Sequence, residues 1–113
     1  MKIIIAGSRG INDIKKIERA VNSSPFNVKI IISGCARGVD TLAIEYANSM
    51  DISVIKKPAN WFKYKKQAGY IRNLEMADIA DGLIAIWDGK SKGTKHMIDT
   101  MNKINKPVFI YDF

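Results

Sequence analysis

A chain of 113 residues has room for one hydrophobic core and contains no Pro/Gly/Ser-rich stretch long enough to join two, so residues 1–113 are expected to form a single domain. With 47% hydrophobic and 26% charged residues the composition excludes a disordered chain, and apolar runs of only four or five residues exclude a membrane span. A net charge of +7, from 14 lysines and four arginines against 11 acids, favours anionic partners, and position along the chain must separate nucleic acid, free nucleotide and a merely solvated surface.

The N-terminal Met-Lys-Ile-Ile-Ile-Ala-Gly has neither the apolar length nor the small-residue cleavage pattern of a secretory leader. A lone cysteine, Cys35, makes no internal disulfide, and with a single histidine beside it no structural metal is expected. Both features point to the cytoplasm.

Lys2 to Ala6 reads as a short buried strand, and Asp13 to Asn22 follows with helical spacing that puts Ile14, Ile17, Ala20 and Val21 on one side. Val28 to Ile32 is a second strand, and Val39 to Ser49 a second helix with Leu42, Ala43, Tyr46 and Ala47 on its apolar face. Ile52 to Ile55 is a third strand. A polar and aromatic connection, ANWFKYKKQAG, leads to a third helix from Tyr70 to Ala80, with Ile71, Leu74 and Ile79 toward the sheet. Leu83 to Trp87, Thr94 to Ile104 and Pro107 to Tyr111 complete the chain as strand, helix and strand. Strands that are apolar throughout, alternating with helices, predict a single α/β Rossmann-like domain. It has three layers, with a five-stranded parallel sheet in the order 3-2-1-4-5 and helices on both faces.

In such a fold the loops that leave strands for helices gather at the carboxyl edge of the sheet, where ligands bind. These loops are GSRG, SGCARG, the lysine-rich connection and WDGKSKGT, and three of them hold six of the eight glycines. Arg9, Arg37 and Arg72 fall in or beside this edge, where a planar guanidinium grips phosphate in a bidentate way that lysine does not copy. Lysines 56, 57, 63, 65, 66, 90, 92 and 95 join them, and no acid occurs from Lys56 to Asn73. This concentration favours a phosphate-bearing ligand. The chain has no GxGxxG and no GxxxxGK[ST], so the common dinucleotide and P-loop fingerprints do not account for it.

IIIAGSRG, IISGCARGVDTLAIEYA, AGYIRNLEMADIAD and WDGKSKGTKHMI, in this order along nearly the whole chain, resemble the SLOG superfamily. This Rossmann-like group includes the DNA-processing protein A domain and the LONELY GUY phosphoribohydrolases, and the chain is most similar to its small stand-alone YspA-like branch of bacteria and phages. The resemblance implies a nucleotide or nucleotide-derived ligand. Gly7, Ser8 and Arg9 of the first loop and Ser33, Gly34, Arg37, Gly38 and Asp40 of the second would face it. Arg72 and Asn73 would stand in the first turn of the third helix, and Gly93 and Thr94 would bring the fourth helix N-terminus to a phosphate, with Thr94 as its cap. Superfamily members commonly assemble through their helices, which makes a homodimer or higher oligomer an expectation.

The phosphoribohydrolases follow their glycine-threonine closely with a glutamate, whereas Lys95, His96 and Met97 follow Thr94 here. Asp40 and Glu45 are the carboxylates left for proton transfer. The leading reading is therefore a sensor or sequestering protein for a phosphorylated nucleoside derivative, of ADP-ribose-like or cyclic-nucleotide type, with no further cofactor. A nucleotide N-glycosidic hydrolase and a single-strand nucleic acid binder are the alternatives.

Three further features are read both ways. Cys35 at a helix start, with His96 on another loop-proximal helix, admits a nucleophilic pair, although a small filler is the commoner role for cysteine. Trp61, Phe62, Tyr64 and Tyr70 among Lys63, Lys65 and Lys66 suit stacking on single strands or a lid over a nucleotide base, and the lid is favoured. Trp87, at the end of its strand, either stacks on a ligand ring or completes the core.

Overall fold

A computed structural model of the chain describes residues 1–111. Five parallel strands, β1 (Lys2–Gly7), β2 (Ile30–Ser33), β3 (Ser53–Lys56), β4 (Gly82–Ile86) and β5 (Val108–Tyr111), lie in the order β3-β2-β1-β4-β5. The chain builds outward from β1 to β3, then returns to place β4 against the other side of β1, with Ile5 opposite Ile84 and Gly7 opposite Ile86. The strand order thus reverses beside the carboxyl end of β1, and a crevice opens there.

Alternate residues of the central strands enter two cores. Ile3, Ile5, Ile31, Ile84 and Ile86 pack with α1 (Ile14–Ser23) and α2 (Val39–Ser49) on one face. Ile4, Ala6, Ile32, Leu83 and Ala85 pack with α4 (Ala68–Ile79) and α5 (Lys92–Lys103) on the other. Burial on both faces is the reason β1 and β4 are apolar at every interior position. The α/β class, the parallel sheet and its order are as the sequence predicts. No helix among the described residues is long and apolar enough to cross a membrane.

The third predicted helix differs in its start and in the face it buries. The preceding connection is itself partly helical: α3 (Trp61–Tyr64), capped by Asn60, whose Oδ1 accepts from the Lys63 N–H at 3.0 Å, runs through a 3-10 turn (Lys65–Gln67) into α4. Beginning at Ala68, which is buried, α4 also buries Asn73 with Met76 and Ala77 three and four residues on. Leu74, about 100° around the helix from Asn73, is 53% exposed instead of facing the sheet.

Candidate functional site

The first two glycine-rich loops are built around each other. Gly38 has φ of 80°, and a side chain there would meet the backbone of Ser8 and Arg9 at 2.5–2.6 Å, so only glycine permits both the turn and the approach. The Ser8 carbonyl then receives the N–H groups of Ile11 (3.5 Å) and Val39 (3.4 Å). Ser8 and Ser33, expected to face a ligand, are engaged in building the loops. Ser8 Oγ accepts from the Asp88 N–H at 3.2 Å, tying the first loop to the one after β4. Ser33 Oγ donates to the Asp40 carbonyl at 2.8 Å and accepts from the Cys35 N–H at 3.2 Å. At 4% and 0% exposure the two side chains are structural.

Asp40, in the first turn of α2, is 7% exposed and its Oδ2 accepts from the Ala36 N–H at 3.3 Å. Burial raises its pKa from 3.8 to about 6, against the opposing pull of Arg72, the Ala36 N–H and Arg9. Arg72 reaches from α4 to the same place: Nη1 donates to the Gly34 carbonyl at 2.5 Å and Nε to Asn73 Oδ1 at 3.0 Å. A Cβ on Gly34 would collide with Arg72 Nη1 and stand 2.8 Å from Asp40 Oδ2, so glycine is what lets the cation and the carboxylate share this corner. Burial lowers the Arg72 pKa and Asp40 opposes that, but a guanidinium stays protonated at any working pH.

Asn73 links this corner to α5. Because its Oδ1 accepts from Arg72, its amide nitrogen is the donor to the Gly93 carbonyl at 3.2 Å and to His96 Nδ1 at 3.1 Å. His96 is therefore neutral with its proton on Nε2, in keeping with a pKa lowered by burial, and the Tyr70 ring lies tilted on it at 4.5 Å. Asn73, expected as a ligand contact, lines the cleft and also clasps α4 to α5. Asn73→Ala should cost about 1 kcal/mol in urea unfolding, because it removes the partner of the half-buried Arg72 Nε and of the Gly93 and His96 acceptors at once. A loss within experimental error would show that the clasp is idle.

Beyond β4, Asp88 Oδ1 accepts from the N–H groups of Lys90 (2.8 Å) and Ser91 (3.0 Å), which holds its pKa below the usual carboxylate value. The helix that follows starts at Lys92, two residues before the expected Thr94, and Ser91 is its cap, accepting from the Thr94 N–H at 3.4 Å. Thr94 is thus inside the first turn, with its hydroxyl 3.0 Å from that of Ser91. Trp87 Nε1 donates to the Ser91 carbonyl at 3.0 Å, and the indole packs against the α4/α5 core. It braces the loop and does not line the cleft.

These elements enclose a cleft of about 350 Å³ at the switch point. Of the expected residues, Gly7, Arg9, Asp40, Arg72, Asn73, Gly93 and Thr94 converge on it. Gly34 and Arg37 line an adjoining cavity, and Gly38 shapes the loop behind both. Glu45 is exposed on α2 and lines neither cavity, which leaves Asp40 as the one carboxylate of the cleft wall. Cys35 and His96 also part company: Cys35 lines the adjoining cavity while His96 is held by Asn73. Met76 and Met97 also form part of the cleft wall, with Trp61, Lys66 and Tyr70. Only the aromatic-lysine run gave the sequence a signal for any of these five.

The family model described as "YspA, cpYpsA-related SLOG family" matches residues 1–64. The "Gene 61 protein" of Mycobacterium phage D29 is 31% identical over 117 residues, spanning 95% of this chain and 93% of that one. In fold the chain is similar to DNA processing protein A from Streptococcus pneumoniae, with a TM-score of 0.81 at 18% identity over 99% of this chain, which spans half of that one.

Proposed function

Because the chain belongs to the YspA, cpYpsA-related SLOG family, we propose that it binds a nucleotide or nucleotide-derived phosphorylated ligand in the switch-point cleft, as a sensor or sequestering protein of the cytoplasm. The observation that carries this reading is the convergence of Arg9, the anchored Arg72 and the first turn of α5 on one cleft of about 350 Å³. Arginine forks and orphan helix N–H groups are the two standard protein devices for phosphate, and here they share one space. The Tyr70 and Trp61 rings and the two methionines supply apolar surface for a base, and Asp40 an acceptor for a sugar hydroxyl. An ADP-ribose-like or cyclic nucleotide carries all three kinds of group.

The test is mass spectrometry of small molecules released on denaturing freshly purified protein. A nucleotide released from the native sequence and missing from Arg72→Ala is expected; the same material from both would contradict the assignment. Appearance of free base, lost in Asp40→Asn, would make the protein an N-glycosidic hydrolase with Asp40 as the proton-transfer group.

Single-stranded nucleic acid is the second reading, favoured by Phe62, which is 89% exposed in a run with Lys63, Lys65 and Lys66. Affinity rising with oligonucleotide length and falling steeply with salt would support it.

A further inference from the structure

The cleft does not end at Arg72. A second cavity, of about 470 Å³, adjoins it and is lined by the Cys35–Arg37 stretch on one side and Pro58 and Ala59 on the other. The two spaces share Arg9, Ala36, Trp61 and Arg72, so both arginines stand at their junction. Arg72 has committed Nη1 to Gly34 and Nε to Asn73, which leaves the Nη2 donors for a ligand. Arg9 is exposed and makes no side-chain hydrogen bond among the described residues. Two guanidiniums at the waist of a two-chambered site put bidentate phosphate-gripping groups in its middle, with Lys66, Lys92 and the first turn of α5 on the side of the first space.

The chambers differ in chemistry. The first has the buried Asp40 carboxylate, two methionines and a tyrosine ring in its wall, with Lys66, Lys92 and the first turn of α5; the second has no carboxylate and adds Arg37. Each volume falls within the roughly 300–1,000 Å³ typical of small-molecule sites, so one nucleoside fits in one chamber and leaves the other open.

Resting on the reading of the cleft as a nucleotide site, we infer that the ligand is two-lobed. Its phosphates lie at the waist between Arg9 and Arg72, one nucleoside occupies the Asp40 chamber, and a second ribose or nucleoside, joined through those phosphates, occupies the chamber between Arg37 and Ala59. The class is that of phosphate-bridged dinucleotides.

Calorimetric titration tests this with AMP, GMP, CMP and UMP against diadenosine and diguanosine 5′,5′-pyrophosphate and ADP-ribose, with thymidylate oligomers of increasing length in parallel. A bridged probe should bind at least about tenfold more tightly than the mononucleotide it contains. Ala59→Trp, which fills the second chamber from a half-buried loop position, should bring that ratio close to one, and Arg37→Ala should reduce it. Equal affinity for bridged and single nucleotides, unaltered in Ala59→Trp, would overturn the second chamber while leaving the cleft a nucleotide site. Failure of every nucleotide to bind would overturn both. Affinity that keeps rising beyond two nucleotides would replace the two-lobed ligand with a strand.

Discussion

Replacing Arg72 by alanine should weaken binding of a nucleoside monophosphate by roughly 10- to 100-fold, the loss expected when a charge-assisted hydrogen bond worth about 1.5–3 kcal/mol is removed. The guanidinium is held in place from two sides, by the Gly34 carbonyl and by Asn73, so its remaining donors meet a phosphate with little left to order. Arg72→Lys keeps the charge but reaches only one of these anchors at a time, and its affinity should fall between those of the native protein and the alanine variant. Calorimetry measures the loss, and far-UV circular dichroism confirms that the sheet and helices persist. An alanine variant of native affinity would put the phosphate somewhere else. The same substitution removes the charge that pulls Asp40 down most strongly, so the Asp40 carboxyl should then titrate above its native value of about 6.

The second large effect concerns Asp40 and stability. Its pKa is about 6 in the folded chain against 3.8 as a free side chain, because it is buried. Above pH 6 the carboxyl is ionised in both folded and unfolded chains, and the folded one carries the cost of burying the charge. Between about pH 6 and pH 4 the folded chain takes up a proton that the unfolded chain does not, so the contribution of this group to stability rises as pH falls. The difference between 3.8 and about 6 corresponds to about 3 kcal/mol. Asp40→Asn keeps an oxygen for the Ala36 N–H and removes the charge. It should be more stable than the native protein by up to about 3 kcal/mol at pH 7.5, and the two should converge near pH 4. Urea unfolding of both proteins across this range isolates the effect of Asp40, since all other carboxylates are common to them. Parallel curves would show that Asp40 is not held at such a cost. A group retained at the expense of stability in the wall of a cleft is the pattern of a functional residue. Its protonation below pH 6 should also strengthen binding of a phosphate placed beside it.

Much of this was legible in the sequence because the strongest signals there are local. Isoleucine runs such as Ile3–Ile5 and Ile30–Ile32 require burial on both faces, and their alternation with helices leaves few topologies open. Glycines and arginines clustered after strands pointed to the correct edge of the sheet, and Arg9, Asp40, Arg72 and Thr94 do meet there. What residue type did not disclose is the use each polar group makes of its neighbours. Ser8 and Ser33 look like ligand donors until their partners, Asp88 and Asp40, are brought from elsewhere in the chain. Trp87 is committed to the Ser91 carbonyl, a contact that depends on where α5 starts. The Leu74 assignment failed for a related reason: α4 packs through Asn73, Met76 and Ala77, and that choice of face turns Leu74 outward. The 3-10 turn before α4 carries no periodic pattern at all, since Lys65 has a positive φ of 55° that no sequence rule assigns to lysine.

Amide and arginine side-chain NMR of isotope-labelled protein, titrated with a set of nucleoside monophosphates and then with the matching nucleosides, tests the central claim most directly. Saturable shifts are predicted at the amides of Gly7, Arg9, Ala36, Gly93 and Thr94 and at Arg72 Nε with a monophosphate, and far weaker ones with its nucleoside. Shifts that are the same with and without the phosphate, or that gather around Phe62 to Lys66 only when an oligonucleotide is added, would contradict a nucleotide cleft held by Arg9, Arg72 and the first turn of α5.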